Sequence, residues 1–253
     1  MDKLVLQLEE RQLAVHSFIG EFERGIAALK ESGLELITAS EIAMARVAGG
    51  RGGSLDFYGV LVGESVVYFP DGTILVTDRS HNYLLRKPAA AARAHRKEEE
   101  LYLSGRAAKE LCDKAEVDAE KAIGSGVLYL SRKNAKSGVF SCAFGEVALT
   151  RFLFGEMAEP YARFLEQQNK RHAIVQVASP RHVQKHGHPF VRAMRIEGSY
   201  HGYGFNCDSE VGDLCHVNGA RIELAIPSGV MRALGRGRGF EYDGVKYEPV
   251  PAK

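Results

Sequence analysis

Between Arg181 and His216 the sequence gathers His182, His186, His188 and His201, followed by Cys207, Cys215 and His216. Imidazole nitrogen and thiolate sulfur together form the borderline-soft donor set that suits zinc. Residues two apart on an extended chain project to the same side, so His186 and His188 are spaced to reach one ion. Cys207, Cys215 and His216 lie across an intervening loop. The predicted metal ligands are therefore His186, His188, Cys207, Cys215 and His216, with zinc as the expected ion. The Cys207 to Cys215 interval matches no common zinc ribbon. Imidazole also titrates near neutral pH, which makes His186, His188 and His201 the candidate acid and base of a hydrolytic reaction.

A second constellation is basic. Arg181, Lys185, Arg192 and Arg195 occupy a stretch whose only acid is Glu197, and Gly235-Arg-Gly-Arg-Gly239 later precedes Phe240. Glycines let a backbone approach a polyanion, arginine offers a planar fork to phosphate, and an aromatic ring can stack on a base. Arg181, Lys185, Arg192, Arg195, Arg236 and Arg238 are thus the predicted phosphate contacts, with Phe240 or Tyr203 as the stacking ring. Over the six residues from Gly235 to Phe240 the segment resembles the glycine-rich loop of repeat-RNA-processing endonucleases of CRISPR systems. That resemblance implies RNA as the ligand.

Several motifs are missing. The sequence holds no Gly-x-x-x-x-Gly-Lys-Ser/Thr phosphate loop, Gly-x-Ser-x-Gly elbow, His-Glu-x-x-His or paired Cys-x-x-Cys. The run Glu98-Glu99-Glu100 reads as a solvated helix face, Gly49-Gly-Arg-Gly-Gly53 as a flexible connection, and Cys142 as a core residue. The leading functional expectation is a nucleic-acid-binding protein, RNA ahead of DNA, with phosphodiester cleavage as its added activity. One alternative is a metal-dependent enzyme that acts on a small substrate through the His and Cys cluster. Another is a non-catalytic assembly subunit of a larger complex.

Composition narrows the field. The chain has 253 residues, with 33 Lys plus Arg against 32 Asp plus Glu, so its formal charge of +1 excludes a function resting on bulk charge. A hydrophobic content of 45% with 26% charged residues excludes global disorder. No run approaches the ~18 apolar residues of a membrane span, and the first ten residues lack a signal-peptide pattern. The expected setting is the cytosol, with no membrane partner and with the four cysteines reduced rather than forming a disulfide framework. Neutrality conceals a dipole: residues 1–123 carry 16 basic and 20 acidic groups, and residues 124–253 carry 17 and 12.

The elements that must position these residues read as α+β, mainly antiparallel sheet layers with packed helices. The expected organisation is one domain or two small subdomains, 1–123 and 124–253, divided at Gly124-Ser-Gly126. Val15, Phe18, Ile19, Phe22, Ile26 and Leu29 recur at helical spacing and predict one helix from Glu9 to Lys30. Thr38-Ala-Ser-Glu41 looks like a helix entry. Three short strands are expected at Phe57 to Val62, Val66 to Phe69 and Thr73 to Thr77, with a turn at Pro70-Asp-Gly72. A helical stripe runs from Leu101 to Ala122. Val127 to Leu130 and Val139 to Phe144 read as a hairpin over Arg132-Lys-Asn-Ala-Lys136. A helix that Pro160 must kink or divide follows, and Ala173 to Ala178 reads as a central strand. Val191 to Ile196, Arg221 to Ile226, a short helix at Pro227 to Leu234 and a terminal hairpin turning at Asp243-Gly244 complete the reading.

Overall fold

The computed structural model of the chain describes residues 2–8, 11–50, 54–57, 59–130, 139–144, 147–211, 215–224, 240–242 and 245–247. Strands β1 (Asp2–Leu8) and β2 (Arg11–Gly20) pair antiparallel, and helix α1 (Phe22–Glu31) follows. The single helix predicted from Glu9 to Lys30 is therefore corrected to a strand and a shorter helix. Leu13, Val15, Phe18 and Ile19 satisfy strand and helix periods alike over a short window, and β-branched and aromatic residues favour the strand when a partner is present. That partner comes from far along the chain: β12 (Cys215–Leu224) pairs with β2 from Cys215↔Gly20 to Leu224↔Arg11.

After β3 (Glu35–Leu36), helix α2 (Ala39–Gly49) starts where the sequence placed an entry. The Thr38 side chain accepts the Glu41 backbone N–H, and Glu41 accepts the Thr38 N–H in return. Helix α3 (Ser54–Phe57) precedes β4 (Val60–Tyr68), which absorbs two of the three short strands expected here. Glu64 and Ser65 read as an interruption, yet every residue of β4 is buried, and Ser65 Oγ lies 2.7 Å from Thr77 Oγ1 on the next strand. Gly72, at φ +86°, closes the expected turn into β5 (Ile74–Thr77). Helices α4 (Tyr83–Arg86) and α5 (Pro88–Arg96) come next.

The stripe expected from Leu101 to Ala122 is divided into β6 (Leu101–Tyr102), α6 (Gly105–Lys114) and α7 (Ala119–Ser125). Asp118 starts α7 by accepting the Lys121 N–H, and Gly126 ends it in the left-handed conformation. The hairpin expected after Gly126 does not form. Strand β7 (Val127–Leu130) pairs with β5, whereas β8 (Val139–Ala143) pairs with β9 (His172–Gln176), at opposite ends of the sheet. Their edge positions depend on long-range partners, which no local pattern encodes.

Helix α8 (Ala148–Phe154) gives way to α9 (Ala158–Gln167) at Gly155, φ +51°, rather than at Pro160. Pro160 sits in the first turn of α9, where its missing N–H removes no helical bond. Strand β9 alternates exposed and buried residues and lies next to the sheet edge, so the central strand expected at Ala173 to Ala178 is corrected to a half-solvated one. Ile174, 60% exposed, is the residue that disguised the alternation. Then come α10 (Pro180–Lys185), β10 (Phe190–Ile196), β11 (Phe205–Ser209), β12 and the paired strands β13 (Phe240–Tyr242) and β14 (Val245–Tyr247).

One four-stranded sheet has the order β1-β2-β12-β3. The larger, eight-stranded sheet runs β7-β5-β4-β10-β11-β9-β8 with β6 added against β10. Its pairs are antiparallel except β9 with β11. The architecture is α+β, as expected. One side of the core packs Ile42, Phe154, Tyr161 and Phe205, the other Phe22, Leu75, Leu111 and Val191. Among the described residues, no helix is long and apolar enough to cross a membrane.

Candidate metal centre

The site forms where short α10 meets the β6–β10 ladder. Ser179 accepts the His182 N–H and Pro180 occupies the first turn, so the local sequence Ser-Pro-Arg-His starts a helix. One helical turn then separates His182 from His186, and their ring centroids lie 4.8 Å apart. Tyr102 and Leu101 pair with Phe190 and Val191, which carries Glu100 beneath the two rings. Glu100 is 8% exposed and its Oε1 accepts from His182 Nε2 at 2.8 Å, with His186 Nε2 at 3.9 Å. The three donor atoms all lie within 4.8 Å of one another.

Two further groups fix this arrangement. The Tyr102 hydroxyl is 2.7 Å from His186 Nδ1, leaving Nε2 buried without a hydrogen-bond partner. Burial lowers the pKa of His186 despite the nearby Glu100 carboxylate, which favours the neutral ring, the form that can ligate a cation. Arg192, 9% exposed on β10, donates through Nη2 to Glu100 Oε1. Its Nη1 is 2.5 Å from Glu210 Oε1 and its Nε 3.6 Å from Asp208 Oδ1. Burial opposes the charge of Arg192, but its bond to Glu210 and the surrounding carboxylates outweigh that and raise its pKa. The Arg192 hydrogen bond in turn holds Glu210 below the usual carboxylate range, while burial raises Asp208.

Two imidazoles and one carboxylate are a donor set that zinc accepts, and three protein ligands leave a coordination position open to water or substrate. Tyr102 on the second nitrogen of His186 is the outer-shell contact that orients a ligating ring.

The structure distributes the sequence-predicted residues unevenly. His186 belongs to the cluster. His188 is exposed on the following bend, with its ring 6.1 Å from that of Tyr102 and outside the donor set. His201 is exposed on another turn against Tyr200. Cys207 points into the core, 0% exposed, where burial pushes its thiol well up. Burial likewise pushes Cys142 up to about 12, in keeping with a core residue. Cys215 and His216 lie in β12 opposite Gly20 and Ile19. Arg181 and Lys185 are exposed on α10 and Arg195 is half-buried, whereas Arg192 is enclosed by carboxylates. Tyr203 is buried, its hydroxyl donating to Asp56 at 2.7 Å. Phe240 lies in β13 opposite Tyr247. Arg236, Arg238, Arg132 to Lys136 and Pro227 to Leu234 lie outside the described residues.

Sequence reasoning missed Glu100, His182 and Tyr102. The helical spacing of His182 and His186 after Ser179-Pro180 was the available signal for the second ligand. Glu100 had none, since Glu98-Glu99-Glu100 reads as a solvated face and the burial of its last member arises from the ladder to β10.

No protein-family model and no curated protein matches the chain. A solved structure described as the accommodation of massive sequence variation in Nanoarchaeota by the C-type lectin fold is similar, at a TM-score of 0.58 and 16% identity. The alignment covers 85% of this chain and 100% of that one. The likeness is one of fold. Within this C-type lectin-like arrangement, β10 and β11 supply Arg192, Asp208 and Ser209, while α10, the residue that caps its C-terminus and the approach to β6 supply the donor atoms.

Proposed function

We propose that the chain is a metal-dependent enzyme for a small substrate, holding a zinc-class divalent ion on Glu100, His182 and His186. The observation that carries this reading is the convergence of three donor atoms within 4.8 Å, one of them the buried, unpartnered Nε2 of His186. A bound ion would act as a Lewis acid and lower the pKa of a coordinated water. The chain's own residues do the positioning. Tyr102 orients the His186 ring, Arg192 orients Glu100, and Asp208 with Glu210 balances the arginine charge. The similar structure is described in terms of a fold that accommodates massive sequence variation. A site of its own composition on such a fold is consistent with that description.

Elemental analysis after dialysis against zinc tests the reading. One equivalent per chain is expected, with His182→Ala and His186→Ala each losing it. Tyr102→Phe keeps all three ligands and is expected to weaken zinc roughly 10-fold or more, as outer-shell partners do. A wild type without stoichiometric metal, or binding that His182→Ala leaves intact, removes the proposal.

The nucleic-acid reading retains one observation in its favour. Arg181 and Lys185 are exposed on the same short helix that carries His182 and ends just before His186, so a phosphodiester could meet cations beside the centre. On that reading, single-stranded RNA binds with an affinity that falls steeply as salt rises, and a double change, Arg181→Ala with Lys185→Ala, flattens the slope by about 2. Salt-insensitive binding, or none at low salt, excludes it.

A further inference from the structure

Next to the metal centre lies a cleft of about 450 Å³, within the size range of small-molecule sites. Its floor is apolar, from Leu84 on α4, Ala91 on α5, Leu101 and Val191. Its polar wall is mainly acidic. Glu98, Glu99, Glu100 and Glu210 line it against Arg192 and His95. Arg192 is already taken up by Glu100 and Glu210, and His95 Nδ1 stands 3.3 Å from Glu210. Glu98 and Glu99 are exposed at the rim and have no ion pair among the described residues.

A second observation points independently to an occupant. Ser209, 6% exposed at the end of β11, lines the cleft with an Oγ that has no hydrogen-bond partner. Burying a hydroxyl unpaired is costly, so native sites rarely leave one in that state unless something else satisfies it. The Nε of Arg192, on the adjacent strand, faces Asp208 Oδ1 at 3.6 Å, so it is not a cation left free for a ligand.

We infer that this cleft binds a small primary alkylammonium ion, with the Glu98 and Glu99 carboxylates and the Ser209 hydroxyl receiving the ammonium while the alkyl chain covers the Leu84, Leu101 and Val191 floor. An ammonium carries three donors and no acceptor, which complements two carboxylates and a hydroxyl acting as acceptor. A carboxylate or phosphate ligand would meet the rim carboxylates without a free cation to offset them. The inference goes beyond the metal reading, because none of the rim groups is a proposed ligand of the ion. Glu100 joins the two sites, but the amine pocket needs no metal.

Calorimetric titration of the full chain with n-hexylammonium, both as purified and after chelation, tests the assignment. Sodium hexanoate and n-hexanol serve as charge controls of equal length. Saturable hexylammonium binding is expected to survive chelation, with both controls at least tenfold weaker. The double change Glu98→Gln with Glu99→Gln alters only exposed side chains, so the fold stays intact, and it should weaken hexylammonium at least tenfold while leaving hexanol unchanged. Ser209→Ala should weaken it severalfold. The assignment is overturned by binding lost on chelation, by hexanoate or hexanol binding as tightly, by an unchanged affinity in the double variant, or by no saturable heat. Survival after chelation separates this cleft from the metal centre, and loss of zinc from His182→Ala would leave the amine result standing.

Discussion

Thermal unfolding of Arg46→Ala is expected to occur about 10–20 °C below that of the unaltered chain, which corresponds to roughly 4–5 kcal/mol for a protein of this size. Arg46 is 1% exposed, in the last turn of α2. Its Nε donates to the Leu55 carbonyl at 2.9 Å, and its Nη1 donates to the Tyr161 hydroxyl and the Glu197 carbonyl, both at 2.8 Å. Its Nη2 reaches the Ile196 carbonyl at 3.3 Å, and the guanidinium lies 5.9 Å from the Tyr203 ring centroid. One side chain thus ties α2 to α3, α9 and the end of β10. Alanine leaves a void and three carbonyls with a lost donor in a dry interior, and each costs far more than the bond itself was worth in water. Lysine keeps the charge but not the planar fork, so Arg46→Lys should recover less than half of the loss. A melting temperature within about 3 °C of the unaltered chain would show that the region relaxes around the gap and that Arg46 is not the clamp the geometry describes.

How far such a residue is legible in sequence depends on the range of the interactions that place it. The Thr38 cap, the Pro70-Asp-Gly72 turn and the end of α7 at Gly126 are decided within a few residues, and all three were readable. The second segment was not, because β2 becomes an interior strand of its sheet only through β12, some two hundred residues later. The same holds for β7 and β8, adjacent in sequence yet assigned to opposite edges of one sheet. Arg46 did leave a trace: it interrupts the apolar run from Ile42 to Val47, and an arginine there is solvated only if that face is outward.

The candidate centre shows the same division. His186 was identified by residue type. The partner His188 was chosen on the assumption of an extended chain, but Ser179-Pro180 starts a helix, and helical spacing selects His182 instead. Glu100 and Arg192 acquire their meaning only when β6 docks on β10, which turns one of three consecutive glutamates inward and encloses a cation that reads as a phosphate contact. Residue chemistry was visible; the pairing that decides which chemistry is used was not.

Glu64 offers the sharpest test of how burial competes with local polarity. It is 6% exposed in β4, and the Ala39 N–H at the start of α2 donates to both of its oxygens, at 3.2 and 3.1 Å. That amide and the Arg79 charge favour the ionised form, but desolvation outweighs them, with the neighbouring Glu41 adding to it, and the carboxyl is pushed up from 4.5 to about 8. The folded state therefore binds a proton that the unfolded chain has released between those two values. Stability from this group is fully present below the unfolded value and is lost as pH rises through the folded one, at about 1.4 kcal/mol per pH unit. Glu64→Gln keeps the size and the acceptor oxygen without the charge. Urea unfolding of both proteins should give similar stabilities near pH 5 and an advantage to the glutamine variant that grows to about 4 kcal/mol by pH 9. Parallel curves would mean that the helix terminus and Arg79 keep the carboxylate ionised throughout. In that case the N-terminus of α2 would supply more stabilisation to a buried anion than the usual ~2 kcal/mol ceiling for such a contact allows.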